Sequence, residues 1–196
     1  MGALIEIPQG WARWELEPID SSGRHTTDER LMSGGNFASQ FMTNKVLQRK
    51  PGSRIRKRLM TAAVRGGFGL TNRREYEALF QGTYAERCQL SFEAFFPDMA
   101  AGEWRGRDEL LEYMLSFDDA YASMHFQPLE IIDAGGNLVG AAIEVSAAGR
   151  STGIELTRVF GIVYEFEAGR VYRQDVLEDW PKAIETMKVR AGVGSA

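Results

Sequence analysis

Residues 124–180 carry the strongest structural pattern of the chain: MHFQPLEIIDAGGNLVGAAIEVSAAGRSTGIELTRVFGIVYEFEAGRVYRQDVLEDW. It contains four runs rich in β-branched and aromatic residues, separated by turns that contain glycine, at 124–132, 138–147, 152–166 and 170–177. Runs of this kind, joined by short turns, are typical of consecutive antiparallel strands. We therefore predict a four-stranded meander, and such a sheet must bury one face against other elements.

The segment before this meander contains the helices that could cover it. Residues 108–124 give the clearest amphipathic pattern, with an apolar face made of Leu110, Leu111, Met114, Leu115 and Tyr121. Weaker helical patterns cover 59–65 and 73–80, and the period-two alternation of 88–93 predicts a strand. The predicted order is helix, short helix, strand, helix and meander, which indicates an α+β fold.

Composition argues against several kinds of site. The chain has 196 residues, a formal net charge of −4 and a single cysteine, Cys88, so an intrachain disulfide is impossible. His25 and His125 lie far apart in the sequence, and we expect neither a metal nor a cofactor. The first residues lack the pattern of a secretory signal, and no apolar run approaches the roughly 18 residues of a membrane span. We therefore expect a cytoplasmic protein without a membrane partner.

The N-terminal part of the chain differs from the rest. Residues 1–57 are rich in proline, glycine and polar residues, and we interpret them as an extension that is flexible or lies over a domain at 58–187, which a tail at 188–196 follows. Residues 45–58 contain seven basic residues and no acidic one. Such a segment either contacts an anionic surface or serves as a solvated linker. No aromatic residue alternates with the basic ones, so the linker is favoured and nucleic acid is not expected as a partner.

The predicted order of elements resembles the SnoaL-like branch of the nuclear transport factor 2-like superfamily. The likeness covers residues 58–187 and is carried by 59–86, 104–111, 126–136 and 163–171. It implies a cone-shaped α+β fold, in which a curved, mostly antiparallel sheet wraps around helices and a pocket opens inside the cone. It also implies a homodimer that forms through the outer face of the sheet.

The resemblance further implies a type of chemistry, because the enzymes of this superfamily place carboxylates in an apolar cavity where burial raises their pKa. The three positions used by ketosteroid isomerases correspond here to Gly67, Phe92 and Ile162, none of which can transfer a proton. The acid–arginine relay of the epoxide hydrolases has no match, since the nearest segment, 158–160, lacks its acid.

The polyketide cyclases of this superfamily use an aspartate on the last strand, with a histidine two residues before it. The corresponding positions here are Gln174 and Val176, and Asp175 is one residue out of register. A one-residue offset moves a side chain to the opposite face of a sheet. Asp175 is therefore either an acid that a bulge turns inward or, as we favour, a charge on the outer face beside Arg173.

Alternation along the strands predicts which residues face the inside of the cone, where their rings either line a pocket or fill the cone and leave no cavity. The expected inward side chains come from two strands and the neighbouring walls: Phe92, Trp104, Arg158, Phe160, Ile162, Tyr164, Phe166, Tyr172 and Gln174. Two functions stay open. The first is binding of a small hydrophobic or aromatic molecule, with transformation by general acid/base chemistry at Asp175, Tyr164 and Gln174 if the protein is a polyketide cyclase-like enzyme. The second is a non-catalytic dimeric module that binds a protein partner through its sheet face.

Overall fold

The computed structural model describes residues 5–19, 44–93 and 101–193. The described residues form seven strands, which are β1 (Ala12–Glu15), β2 (Tyr84–Phe92), β3 (Gly102–Arg105), β4 (Tyr121–Gly135), β5 (Leu138–Gly149), β6 (Glu155–Glu167) and β7 (Arg170–Leu177). They also form five helices, which are α1 (Asn44–Leu47), α2 (Arg54–Asn72), α3 (Tyr76–Thr83), α4 (Gly106–Ala120) and α5 (Trp180–Arg190).

All seven strands belong to one curved sheet, in the order β1-β4-β5-β6-β7-β2-β3. Neighbouring strands run antiparallel, except that β2 and β7 are parallel. The predicted meander is thus present as β4 to β7, and the α+β fold with a sheet wrapped around helices is confirmed. The inner face of the sheet packs on α2, α3 and α4 in the larger of two apolar cores.

Helix α2 is longer than the predicted helical segment 59–65 and continues through the glycines that follow it. It runs to Asn72 and includes Gly66, Gly67 and Gly69. Each glycine costs about 1 kcal/mol relative to alanine in a helix. A Cβ atom on Gly67 would lie 3.6 Å from Leu79 Cδ1 of α3, an ordinary van der Waals contact, so the packing of α2 on α3 does not require glycine at this position.

The predicted helix at 108–124 is wrong at its end. Helix α4 stops at Ala120, and Tyr121 begins β4. The first residues of β4 pair with the end of β5, from Tyr121 opposite Gly149 to Met124 opposite Ala147. Ladder hydrogen bonds to a neighbouring strand outweigh a local helical pattern of only four residues.

Part of the N-terminal segment is ordered against the domain. Strand β1 pairs with β4 at one end of the sheet. Trp14 of this strand is buried, and its indole nitrogen donates a hydrogen bond to Thr61 Oγ1 of α2 at 3.0 Å. The predicted extension at 1–57 therefore includes a strand of the main sheet, whereas its residues 20–43 lie outside the described part of the chain.

A buried ion pair fixes the start of α2 to the β4–β5 hairpin. Arg56 and Asp133 are both 0% exposed, and Arg56 Nε donates to Asp133 Oδ2 at 2.8 Å. The same carboxylate accepts hydrogen bonds from the backbone N–H groups of Gly52 and Gly135 at 3.1 and 3.0 Å. The guanidinium also donates to the carbonyl oxygen of Gly136 at 3.2 Å. One basic residue of the 45–58 segment is therefore structural.

Helix α5 packs on the outer face of the sheet. Gly140 of β5 and Gly161 of β6 leave a depression there, and a Cβ atom on either would overlap Met187 or Ala183 of the helix. The contact forms a second apolar core. The chain itself therefore covers part of the face through which a dimer was expected to form.

Candidate functional site

A cavity of about 110 Å³ lies between the inner face of the sheet and helices α2, α3 and α4. Its wall is mainly apolar and is unusually rich in phenylalanine, with Phe68, Phe80, Phe92, Phe117, Phe126, Phe160 and Phe166. Several of these rings contact one another at an angle, such as Phe126 and Phe160 with centroids 6.4 Å apart. The rings fill most of the cone but leave an open space inside it.

A group of three polar side chains lies on the strand side of the cavity. Tyr164 of β6 and Gln174 of β7 are cross-strand partners, and Tyr84 begins β2, which pairs with β7. The hydroxyl of Tyr84 donates a hydrogen bond to Gln174 Oε1. This bond leaves the amide nitrogen of Gln174 as a donor. In the described part of the chain, the hydroxyl of Tyr164 has no hydrogen-bond partner.

Burial keeps these tyrosines neutral. It raises the pKa of Tyr84 well above its ordinary value, and the nearby Tyr164 adds to this effect. Burial also raises the pKa of Tyr164 far above its ordinary value. Both phenols therefore keep their protons at neutral pH, where they act as hydrogen-bond donors and cannot act as bases.

Two further hydroxyl groups, on residues of the cavity wall, are buried and have no hydrogen-bond partner among the described residues. These are Thr83 Oγ1, at the end of α3, and the hydroxyl of Tyr113 on α4. Tyr113 is held by Trp104, whose ring stacks on it with centroids 3.8 Å apart. A buried hydroxyl without a partner costs about 1–3 kcal/mol. Both oxygen atoms are closed off from the open space of the cavity, so the cost belongs to the packing of the wall and neither atom is counted as a ligand contact.

Asp175 lies on the opposite side of the sheet from the cavity. It pairs with Val163, whose side chain packs under α5. The Asp175 carboxylate contacts the guanidinium of Arg190 on α5, and Arg173 Nε lies 3.3 Å from its Oδ1. The structure thus places Asp175 on the outer face, which is the alternative that the offset in register favoured. The sheet therefore separates its carboxylate from the cavity.

The remaining predicted pocket residues divide into two groups. Six of them line the cavity: Phe92, Phe160, Ile162, Tyr164, Phe166 and Gln174. Tyr172, Trp104 and Arg158 are not part of its wall. A bulge opposite Glu165 and Phe166 brings Val171 rather than Tyr172 to the inner face, because it shifts the alternation by one residue. Trp104 supports Tyr113 from behind, and Arg158 is exposed.

The helices contribute cavity residues that the strand pattern did not predict. Tyr113 lies on α4 and Phe117 one turn later, and the apolar face read from the sequence omitted both. Tyr84 was missed because β2 starts at this residue, four positions before the predicted strand. A spacing of four between Tyr113 and Phe117 was the available signal, since residues four apart share a helix face.

Within the described ranges, no three His, Cys, Asp or Glu side chains come together in a way that could hold a metal ion. Helices able to cross a bilayer, by length and apolar character, are likewise absent from the described residues. The cavity wall there contains no carboxylate and no imidazole. The chemistry that the wall offers is therefore apolar contact and hydrogen bonding.

Solved structures with the same architecture support this description of the fold. A nuclear transport factor 2-like protein of unknown function from Burkholderia pseudomallei K96243 is 21% identical, with a TM-score of 0.54 over 64% of this chain and 94% of that chain. TerC, co-crystallised with polyporic acid, is 16% identical, with a TM-score of 0.53 over 64% of this chain and 94% of its own. A protein from Xanthomonas campestris pv. campestris that is proposed to be a polyketide cyclase is 16% identical, with a TM-score of 0.52 over 65% of this chain and 95% of its own.

No protein-family model matches the sequence, and no curated protein matches it. The structural similarities nevertheless show that the chain has the nuclear transport factor 2-like fold, as the SnoaL-like resemblance implied. With identities of 21% and lower, the similarities show the fold alone.

Proposed function

We propose that this protein binds a small, mainly apolar molecule inside the cone and holds it by hydrogen bonds from neutral side chains. The observation that carries the proposal is the composition of the cavity wall, which is aromatic and aliphatic around a small polar group. Apolar walls with a few converging polar groups are typical of ligand pockets. The co-crystal of TerC with polyporic acid supports the proposal, since that protein shares the fold.

The polar group favours a ligand that carries an acceptor atom, such as a carbonyl or ether oxygen. The hydroxyl of Tyr164 and the amide nitrogen of Gln174 are the two donors proposed to contact this atom. Tyr84 has a positioning role, because its hydrogen bond to Gln174 Oε1 orients the amide. On this proposal Tyr164 and Gln174 bind the ligand without moving a proton.

The size of the cavity restricts the ligand. A volume of about 110 Å³ is below the 300–1,000 Å³ of sites for drug-sized molecules. It is closer to the roughly 150 Å³ of an engineered cavity that accepts benzene. We therefore propose a ligand with one ring or a short chain. A larger ligand requires wall residues to move, and the flexible Met114 of the wall is best suited to do so.

Binding is favoured over transformation of the ligand. General acid/base chemistry needs a group that can lose or gain a proton near neutral pH. Among the described residues of the wall, the titratable groups are the tyrosines, and burial keeps the phenols of Tyr84, Tyr113 and Tyr164 protonated. Asp175, the acid that a cyclase mechanism requires, lies beyond the sheet.

A thermal-shift screen tests the proposal, with single-ring ketones, phenols and ethers as the probes. A ligand at a hundred times its Kd adds about 2.7 kcal/mol of stability. For a chain of this size the melting temperature should rise by about 5–11 °C. Tyr164→Phe should weaken binding of an active ketone about fivefold to tenfold, since it removes one hydrogen bond.

Tyr172→Phe is the matched control, because it makes the same chemical change in a residue that does not line the cavity. It should leave the affinity unchanged. A screen without any stabilising probe would contradict the proposal, as would equal weakening by the two variants.

A homodimer through the outer sheet face stays a prediction, as does a protein partner at that face. Helix α5 covers the part of the face around Gly140 and Gly161. The part beyond α5 is mainly polar, with exposed Ser146 and Thr157, and the exposed valine beside them, Val159, does not form an extended apolar patch with them. This distribution makes the cavity the better supported site.

A further inference from the structure

Five exposed cations lie close together around the start of α2, and we call them the basic patch: Arg49, Lys50, Arg54, Lys57 and Arg58. Backbone hydrogen bonds make this segment compact, with Ser53 N bonded to Lys50 O at 3.1 Å. None of the five side chains forms an ion pair with a described residue. Arg56 is not part of the patch, because it is buried against Asp133.

The basic patch lies at the N-terminal end of α2, where positive side chains are electrostatically unfavourable. The N-terminal end of a helix bears a partial positive charge, so acidic residues stabilise it and basic residues do not. The first turn of α2 contains no acidic residue, and Ser53 makes no side-chain capping bond. Lys57 Nζ lies over the ring of Trp14, 5.8 Å from its centroid, whereas Arg54 and Arg58 have no counter-charge among the described residues. An anion at this helix end would interact with both the cations and the free N–H groups.

An exposed apolar side chain lies among these cations. Ile55 is 44% exposed and sits in the first turn of α2, next to Arg54 and one turn before Arg58. A surface that combines basic and apolar residues suits an anionic bilayer, where cations meet the headgroups and the apolar residue enters the boundary with the acyl chains. Sites for single-stranded nucleic acid instead present aromatic rings for stacking, and the patch has none.

We propose that the basic patch docks this protein on an anionic lipid surface, with Ile55 entering the headgroup region. The sequence predicted no membrane partner because it has no apolar run long enough to span a bilayer. Docking on the surface of a bilayer does not require a spanning segment. The net charge of the whole chain is −4, so the attraction is local to this end of α2. The proposal does not depend on what the cone cavity binds.

Co-sedimentation of the full chain with lipid vesicles tests the proposal. Vesicles of phosphatidylcholine with about 30% phosphatidylserine should bind the protein, and pure phosphatidylcholine vesicles should not. Raising the salt from about 0.1 to about 0.5 M should release it, because salt screens exposed charges. Each cation near such a surface strengthens binding about fivefold, so Arg54→Gln with Arg58→Gln should lower the partition coefficient about 25-fold.

The matched control is Arg87→Gln with Arg105→Gln, which makes the same change in net charge. Both arginines are exposed and lie on β2 and β3, at the other end of the sheet from β1. This control should bind like the wild type. Ile55→Ser should weaken binding about fivefold without changing its salt dependence.

Three results would overturn the proposal. The first is no difference between the anionic and the neutral vesicles. The second is equal loss of binding in the patch variant and the control variant. The third is complete displacement from the vesicles by an equimolar duplex oligonucleotide, which would identify nucleic acid as the favoured anion.

Discussion

Loss of the carboxylate from the buried pair of Arg56 and Asp133 should destabilise the folded protein strongly. Asp133→Ala removes the acceptor of two guanidinium hydrogen bonds and of the backbone N–H groups of Gly52 and Gly135. In this variant the guanidinium of Arg56 would remain fully buried but would have lost its counter-charge. Removal of one partner from such a pair costs about 3–5 kcal/mol. The melting temperature should therefore fall by about 6–20 °C.

Urea unfolding followed by tryptophan fluorescence measures this change. The control is Glu185→Ala, which breaks the exposed ion pair to Lys188 at 2.7 Å and should cost less than about 1 kcal/mol. The double variant Arg56→Met with Asp133→Leu should recover part of the loss, because it leaves no unpaired charge. About 1–3 kcal/mol should remain lost, since Gly52 and Gly135 still lack an acceptor.

If Asp133→Ala lowers the free energy of unfolding no more than Glu185→Ala does, the cost assigned to an unpaired Arg56 charge is wrong. That cost is also wrong if the double variant is as unstable as the single one. In the first case, water would reach Arg56 and solvate its charge. In the second case, the loss of stability would come from packing rather than from an uncompensated charge.

Two further predictions concern the sheet and the cavity. Gly161→Val should destabilise the protein by about 1–3 kcal/mol in urea unfolding, because the added side chain overlaps Ala183 of α5. Ala148→Val, on β5 and on the same face of the sheet, should cost less, and equal costs would contradict the docking of α5. Burial raises the pKa of Tyr84, Tyr113 and Tyr164, so the folded state holds protons that the unfolded state releases above its pKa of about 10. The contribution of these phenols to the free energy of unfolding should therefore be constant up to that pH and fall above it. Ultraviolet titration that shows these phenols ionising near pH 10 in the folded protein would contradict their burial.

The period-two alternation of the meander was the most reliable signal in the sequence. It predicted β4 to β7 and the inward positions of Phe160, Ile162, Tyr164 and Phe166. The prediction failed at Tyr172, because a bulge in a strand leaves no mark in the pattern of apolar residues. The same alternation supported the outer position of Asp175. The bulge lies at Tyr172, and the pairing of β7 with β6 is regular from Arg173 onward, so Asp175 keeps the face that alternation gives it.

Other features depend on contacts between distant parts of the chain. The burial of Arg56 could not be read from a run of basic residues, because its partner Asp133 lies in a hairpin far along the sequence. Helix α5 was not predicted, although Asp179 is a good N-cap and Pro181 suits a first turn. The size of the cavity follows from how many rings fit into the cone, which only their packing determines.

Titration calorimetry with the best probe of the thermal-shift screen measures whether a small ligand binds in the cone cavity. The wild type is compared with Ala63→Phe. Ala63 lies on α2 and lines the cavity, so the new ring would occupy the space of a ligand. Arg87→Gln serves as a control on the far surface. We predict that binding is lost in Ala63→Phe while the variant remains folded, and that the control binds as the wild type does. Unchanged affinity in folded Ala63→Phe would contradict the claim.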